Sequence, residues 1–362
     1  MPESRPGRWW QIGSLVATAL LFAIGVESPF AFAQPVPCST TITDCGCVIL
    51  SPGQYTLGNP LVSSSPGEDC IDVDSPGVEL DLAGFSITGP LANPPPTPPA
   101  PPEVTAVGIN FERKASRAIL NGGGATVSGF NQGVVIIGYE ATANDFSTTA
   151  NEVGFVLFGT RDSRVSNFDA SGNGENGIMI ESGSHNQLTG FAANSNGGDG
   201  VLLFDSAHSQ LSGFTANSNA GQGVNVGVVA MHNQPTAFAA NSNTGDGVFL
   251  SDKADSNEIS GFITDSNGLS GVDIMRFIGI VSCSGPKRIP CNAPSKRNLV
   301  ENGDAEDNSV YGIDVVNTRT EEIIGNTATS NGTDDLFDSN SRCDGNKWER
   351  NTFGTANQPC IH

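Results

Sequence analysis

Three of the four histidines in this chain of 362 residues recur at a spacing that would allow two of them to bind one metal ion. His185, His208 and His232 lie 23 and 24 residues apart, and Asp162 and Asp255 precede and follow the run. If successive repeats stack about 4.8 Å apart, neighbouring imidazoles can share a transition metal such as zinc or copper, with the aspartates orienting the outer rings. The alternative is a turn that accepts any polar residue, because one column of side chains leaves a tetrahedral site incomplete.

A second group combines three carboxylates with one guanidinium. Asp252 and Arg276 hold equivalent places in adjacent repeats, and Asp273 and Asp314 share another repeat position. This grouping resembles in kind the sites of β-helix lyases, and the resemblance implies that the carboxylates hold a calcium ion on one face while the basic residue takes a proton. These four are the candidate catalytic residues; a solvated acidic surface with a surface ion pair is the alternative.

Apolar side chains at outward repeat positions form a third group. Met179, Leu202, Phe204 and Phe249 would give sugar rings an apolar platform, although scattered apolar residues are common on protein surfaces. Familiar catalytic motifs are absent from the sequence, including G-x-S-x-G, H-E-x-x-H, the phosphate loop and the dinucleotide fingerprint. If the protein is an enzyme, we expect a polysaccharide lyase or a glycoside hydrolase.

An internal repeat must position these residues. A glycine recurs every 23 or 24 residues before an apolar residue, and it returns after an insertion of about 17 residues: Gly154, Gly177, Gly200, Gly223, Gly247, Gly271 and Gly312. Asp335 takes the place of the glycine in the last coil, and an asparagine stands four residues before it and before six of these glycines: Asn173, Asn196, Asn219, Asn243, Asn267, Asn308 and Asn331. Five residues before the asparagine stands a phenylalanine in five repeats: Phe168, Phe191, Phe214, Phe238 and Phe262.

The residues after each glycine alternate as in a strand with one buried face, for example Val201-Leu202-Leu203. A coil of about 23 residues holds three short strands, and stacking pairs each strand with its copy in the next coil. The repeat therefore predicts an all-β fold, a right-handed parallel β-helix. We expect the asparagines to hydrogen-bond along the stack, the phenylalanines to stack inside it, and the glycine to supply a turn conformation.

Segments at the two ends of the repeat region carry a family resemblance. The run from Val78 to Gly89 resembles the first coil of the pectate-lyase-like superfamily of right-handed β-helix repeat proteins, which includes NosD-like periplasmic proteins. Residues 335–338 and 346–353, with Cys343 and Cys360, look like the end of bacterial, mostly uncharacterised members. The resemblance implies the fold over residues 38–362. It leaves the activity open, since the scaffold carries lyases, hydrolases, epimerases and proteins with no known reaction.

The N-terminus has the order of a secretory signal peptide. Arg5 and Arg8 precede the uncharged stretch Ile12–Val26, and Ala31-Phe32-Ala33 precedes Gln34. We predict a signal peptide over 1–33, cleaved after Ala33, and a secreted or periplasmic protein. A membrane anchor is the alternative, but 15 residues are short for a span of about 20.

Eight cysteines follow the predicted cleavage site, and an even count in an exported chain indicates disulfides. The spacing suggests Cys343–Cys360 and Cys283–Cys291, with four N-terminal cysteines pairing among themselves in an order left open: Cys38, Cys45, Cys47 and Cys70. Metal thiolate sites are the alternative. We divide the mature chain into an N-terminal cap over 34–75, the β-helix over 76–340 and a disulfide-closed cap over 341–362. A proline-rich loop at 90–102 and an insertion at 277–297 interrupt the β-helix.

The formal net charge of −21 disfavours nucleic acid, anionic lipid and, less strongly, anionic polymers as partners. We expect an exported protein, not spanning the membrane, that binds carbohydrate at the flank of the β-helix, with binding favoured over processing. A polysaccharide or oligosaccharide is the expected partner, and calcium or a transition metal the candidate cofactor. The alternatives are a non-catalytic structural protein of the cell surface and a periplasmic metal-binding protein. The sequence leaves the oligomeric state open.

Overall fold

The computed structural model describes residues 36–91, 106–251, 253–276 and 295–362. Several predicted features lie outside the described residues: the signal peptide 1–33, most of the loop 90–102, most of the insertion 277–297 with the pair Cys283–Cys291, and Asp252. Within the described ranges the chain is all β except for one short 3-10 helix, Ser341–Cys343.

The described residues form 31 short strands, β1 to β31. The first ten are β1 Val36–Pro37, β2 Thr41–Ile42, β3 Cys47–Ile49, β4 Gly53–Leu57, β5 Leu61–Val62, β6 Ile71–Val73, β7 Val78–Asp81, β8 Ile87–Thr88, β9 Val107–Phe111 and β10 Ile119–Ser128. The next ten are β11 Gln132–Ile136, β12 Thr142–Thr149, β13 Val153–Phe158, β14 Arg164–Asp169, β15 Ile178–Glu181, β16 Gln187–Ala192, β17 Val201–Phe204, β18 Gln210–Thr215, β19 Val224–Val226 and β20 Gln234–Ala239. The last eleven are β21 Val248–Leu250, β22 Glu258–Ile263, β23 Val272–Met275, β24 Leu299–Glu301, β25 Asp304–Glu306, β26 Tyr311–Val316, β27 Glu322–Ile324, β28 Thr327–Thr329, β29 Asp334–Asp338, β30 Lys347–Glu349 and β31 Thr352–Phe353.

Thirteen of these strands pair side by side in one parallel sheet, which we call the long sheet. Its order is β1-β3-β6-β9-β11-β13-β15-β17-β19-β21-β23-β26-β29. The remaining strands form a second parallel sheet that bends around the core, which we call the bent sheet. Strand β10 spans the bend, with a shift in its register to β12. Val201 pairs with Val224 and Val224 with Val248, which confirms a parallel β-helix with coils of 23 or 24 residues.

A stack of phenylalanine rings fills one side of the core. Phe191, Phe214 and Phe238 are 3–4% exposed, and their ring centroids lie 4.5 and 4.7 Å apart with nearly parallel planes. The column ends at Phe262, where the next coil has Gly303; a Cβ there would lie 2.2 Å from the Phe262 ring. The predicted internal stack is confirmed.

A ladder of buried asparagines runs along one turn of the coil. In each step Nδ2 of one asparagine donates to Oδ1 of the next, at 3.0–3.3 Å, through Asn151, Asn173, Asn196, Asn219, Asn243, Asn267, Asn308 and Asn331. Asn331 Nδ2 then donates to Asp335 at 2.9 Å. The ladder satisfies amides that would otherwise be unpaired in the core, and the predicted hydrogen bonding is confirmed.

A second ladder, which the sequence analysis missed, follows another turn. Asn233 donates to Asn257, Asn257 to Asn298, and Asn298 to the carboxyl of Glu321. Ser163 and Ser209 occupy the same column in earlier coils, and these changes of residue type hide the pattern.

The repeat glycine has a different role from the one expected. Gly177 and Gly200 do not have the left-handed backbone of a turn. A Cβ on Gly200 would instead lie 2.6 Å from Asn219 Nδ2 and 2.7 Å from the carbonyl oxygen of Gly223. The prediction of a turn conformation is wrong, because glycine is needed here for close approach to the next coil.

Disulfides are confirmed at both ends of the described chain. Cys38 pairs with Cys47 and Cys45 with Cys70, and Cys343 pairs with Cys360. All six described cysteines are therefore bonded to one another, so none of them forms a metal thiolate site. No helix within the described ranges is long and apolar enough to cross a membrane.

Candidate functional site

The outward face of the long sheet brings together most of the residues that the sequence singled out. Alternation along each strand buries Ile178 and Ile180 in the core and turns Met179 outward. The register places one outward residue of each coil in a single column, which we call the outward column: Asp72, Asn110, Val135, Val156, Met179, Leu202, Asn225, Phe249, Asp273, Asp314 and Phe337.

The middle of the outward column is mainly apolar. Met179, Leu202 and Phe249 are half-buried, with Asn225 between the last two. Phe204 lies two residues beyond Leu202 on the same strand, paired with Glu181. Four members of the predicted platform thus share one face, whose partly exposed apolar surface suits the ring of a sugar.

Asp273 and Asp314 are direct neighbours at one end of the column. They are only 7% and 4% exposed, which contradicts the alternative of a solvated acidic surface. Burial, followed by repulsion from Asp314, raises the pKa of Asp273 well above its ordinary value. Burial, followed by repulsion from Asp246, raises the pKa of Asp314 to about 8. Oδ1 of each carboxyl is buried without a hydrogen-bond partner.

Asp246 completes this cluster, and the sequence analysis missed it. It is 3% exposed, and burial raises its pKa to about 6 although its Oδ1 accepts the backbone N–H of Ser270 at 2.8 Å. Asp199, two coils earlier, accepts the N–H of Gln222 in the same way and the Asn225 amide through Oδ2. Both aspartates stand directly before a repeat glycine, and this Asp-Gly pattern could have identified them.

Arg276 follows β23 and is half-buried, and its Nε is buried without a partner. The position agrees with the predicted acidic patch, whose fourth member Asp252 lies outside the described residues. Chemically, Asp246, Asp273 and Asp314 offer a protonated carboxyl beside a more acidic one, the arrangement that general acid-base catalysis uses.

A second acidic group lies at the other end of the outward column. Asn110 Nδ2 donates to Asp69 at 3.1 Å and to Glu112 at 3.0 Å, while Asp72 is its neighbour in the column. Burial, and then repulsion from Asp69, raises the pKa of Asp72 to about 7. Asp72 Oδ1 and Asn110 Oδ1 are buried without partners. Nothing in the repeat pattern signals this group.

The three predicted metal ligands form an exposed stack away from the outward column. The rings of His185, His208 and His232 lie 4.8 Å apart with interplanar angles of 18° and 1°. Parallel rings place their nitrogens side by side and do not aim them at one ion. Desolvation, followed by repulsion from His232 and His185, lowers the pKa of His208.

The register also corrects the residue that closes this run. The backbone pairs Met231 with Asp255, so Ser256 follows His232 in the column and Asp255 lies one position away. In the described part of the chain, no group of three or more His, Cys, Asp or Glu side chains is arranged to hold a metal ion. The transition-metal and calcium hypotheses remain predictions, without support from this geometry.

Comparisons with known proteins define the class of fold. Residues 106–242 match the family model described as "Right handed beta helix region". This part of the chain is a right-handed parallel β-helix, which confirms the predicted fold. No curated protein matches the sequence.

Solved structures with the same fold include enzymes that act on polysaccharides and a tailspike protein. The A-module of mannuronan C-5 epimerase AlgE6 from Azotobacter vinelandii has a TM-score of 0.59 at 15% identity, covering 85% of this chain and 90% of that one. A mutant of the periplasmic alginate epimerase AlgG has a TM-score of 0.56 at 12% identity, covering 85% and 70%. The Dettilon tailspike protein has a TM-score of 0.54 at 14% identity, covering 85% and 60%. At these identities the likeness shows the fold alone.

Proposed function

We propose that this protein binds a carbohydrate chain on the outward face of the long sheet. The observation that carries the proposal is the continuity of the outward column. Half-buried Met179, Leu202 and Phe249 lead through consecutive coils to carboxyl oxygens without hydrogen-bond partners on Asp273 and Asp314. A sugar has an apolar ring face and hydroxyl donors at its edge, and this face offers a counterpart to both.

The dimensions favour an oligosaccharide. Met179 and Asp314 are five coils apart, which at about 4.8 Å per coil is about 24 Å. Asn225 stands between the apolar residues with its Oδ1 buried and unpartnered, so a further acceptor is available within the platform. The similar fold of polysaccharide epimerases supports a polymeric ligand.

Glycan-array screening followed by calorimetry tests the proposal. We expect Leu202→Ala to weaken binding of the best glycan about tenfold, since it removes apolar contact worth about 1–2 kcal/mol. The matched control is Thr189→Ala on the exposed outward face of the bent sheet, and this variant should bind the glycan like the parent protein. The absence of any glycan ligand would overturn the proposal and favour a structural role at the cell surface.

Processing of the bound chain is a second candidate, favoured by the aspartate cluster. With the pKa of Asp314 at about 8 and that of Asp246 at about 6, Asp314 is mostly protonated and Asp246 mostly ionised at neutral pH. In such a pair the protonated carboxyl of Asp314 can donate a proton to a bound sugar, and the ionised carboxylate of Asp246 can accept one. Assays for new reducing ends and for unsaturated products should then give a signal that Asp314→Asn abolishes, while glycan binding persists.

We further propose that the protein acts outside the cytoplasm, in the periplasm or after secretion. The disulfides at both ends of the described chain support this localisation, because such bonds persist in oxidising compartments. The predicted signal peptide adds to the argument. Fractionation of cells that express the full chain, with sequencing of the mature N-terminus, tests both points; a cytoplasmic, uncleaved protein would contradict them.

A further inference from the structure

We propose that the ligand of the outward face is a polycation, a polymer of amino sugars with free amino groups. This inference rests on the proposed carbohydrate binding and specifies the chemical class of the glycan. It follows from three observations on the same face: carboxylates beside the apolar platform, buried acceptors without donors at its ends, and a scarcity of cations.

Carboxylates flank the platform on both sides. Glu181 lies two residues beyond Met179 on the same strand, and Glu175 lies in the turn before it. Glu152 is the neighbour of Glu175 one coil earlier, joined by a backbone hydrogen bond of 2.6 Å. Burial and then repulsion from Glu152 raise the pKa of Glu175. On the other side, burial and then repulsion from Asp205 raise the pKa of Glu181. Both pairs hold negative charge that lacks compensation.

No cation of the described chain neutralises these groups. The ion pairs in the described ranges involve Lys114, Arg161, Arg319 and Lys347, and each pairs with an acid other than Glu152, Glu175 or Glu181. Ligand ammonium groups would supply the missing partners, and ammonium–carboxylate hydrogen bonds are about twice as strong as neutral ones.

Buried acceptors at the two ends of the outward column also lack hydrogen-bond donors. Asp273 Oδ1 and Asp314 Oδ1 at one end, and Asp72 Oδ1 and Asn110 Oδ1 at the other, have no hydrogen-bond partner. Asp273, Asp314 and Asn110 are each at least nine-tenths buried. A buried acceptor left unpaired is destabilising, so a ligand that donates a hydrogen bond to it binds more tightly. A polymer of uronic acids brings further acceptors and negative charge, and it would be repelled.

The test compares three hexasaccharides that differ in charge. Calorimetry at about pH 6, where amines are charged, would use the hexamers of glucosamine, N-acetylglucosamine and galacturonic acid. We expect the glucosamine hexamer to bind at least about tenfold more tightly than its acetylated form, and the galacturonate hexamer not to bind. The affinity for the glucosamine hexamer should fall as salt rises from about 50 to 300 mM, since salt screens exposed charges.

Variants separate the two parts of the inference. Glu175→Gln with Glu181→Gln should lower affinity for the glucosamine hexamer about fivefold or more and leave the acetylated hexamer unaffected. The control, Asp169→Asn with Asp304→Asn, makes the same change in net charge at exposed positions of the bent sheet. It should change the affinity for neither hexamer. Leu202→Ala should lower the affinity for both hexamers.

Different failures have different meanings. Equal or tighter binding of the acetylated or galacturonate hexamer would overturn the charge class and leave the proposed carbohydrate binding intact. Binding of an oligolysine peptide as tightly as the glucosamine hexamer, with no effect of Leu202→Ala on either, would overturn the inference by showing attraction to charge alone. Absence of binding by every glycan would overturn the proposed function itself.

Discussion

Asn219 lies in the middle of the buried asparagine ladder, and Asn219→Ala should destabilise the coils around it by about 2–6 kcal/mol. Asn219 Oδ1 accepts the backbone N–H of Asn196 at 2.9 Å and its Nδ2 at 3.0 Å. Alanine leaves both donors unpaired at a residue only 2% exposed, and each unpaired donor costs about 1–3 kcal/mol. The acceptor of Asn243 suffers less, because it keeps the backbone N–H of Asn219 at 2.9 Å.

Native-state hydrogen exchange is the suitable measurement, since a long solenoid need not unfold in one step. The amides of coils 194–243 should lose protection in Asn219→Ala by the predicted amount, while those of the N-terminal coils change less. Gln210→Ala is the control, because its side chain bonds to Gln234 at 3.1 Å on the exposed surface. Equal protection in the two variants would refute the reasoning and show that water or a local shift satisfies the freed amides.

Three further predictions concern the core, the repeat glycine and a buried acid. Phe214→Ala should cost about 3–5 kcal/mol, because its ring lies between Phe191 and Phe238 at 4.5 and 4.7 Å; an unchanged urea midpoint would contradict the internal stack. Gly200→Ala should lower the free energy of unfolding by about 1–3 kcal/mol. Adding Asn219→Ala should not restore it, because the carbonyl oxygens of Gly223 and Ala193 remain 2.7 and 2.8 Å from the new Cβ. Full rescue in a double-mutant cycle would show that the Asn219 amide alone causes the clash. Burial raises the pKa of Glu321 to about 8, so between about pH 4.5 and 8 the folded state keeps a proton that the unfolded state has released, and stability falls as pH rises through this window. Glu321→Gln should therefore gain stability over the parent at pH 8 and match it near pH 4 in urea titrations; a constant difference across the range would exclude the titration of Glu321 as the cause.

The repeat made most of the fold predictable. Residues that recur once per coil, such as Phe214 and Asn219, occupy the same place in each coil, and stacking then dictates what they touch. The outward column was predictable for the same reason, since Met179, Leu202 and Asp273 follow the repeat glycine at fixed distances.

Features that depend on an irregular coil were not predictable. The coils after Gly223 and Gly247 hold their extra residue before the histidine column, so counting from the glycine placed Asp255 where the structure has Ser256. Asp246 reaches the acidic cluster from a different part of the coil, and Asp72 meets Asn110 only through pairing across a long insertion. The glycine itself was misread, because a missing side chain looks the same in sequence whether a turn or a close neighbour demands it.

The asparagine ladder has a direction, and Asp335 sets where it stops. Every amide in the ladder donates toward the C-terminal coil, so the side-chain dipoles add like those of peptide units in a helix. Burial alone would raise the pKa of Asp335, but hydrogen bonds from Asn331, Thr355 and Gly354 outweigh it and lower the pKa. An ionised carboxylate accepts and cannot donate onward. Extra coils copied from the middle of the chain can thus be inserted anywhere upstream of Asp335 with the ladder intact, whereas lengthening the solenoid beyond it requires an amide at that position.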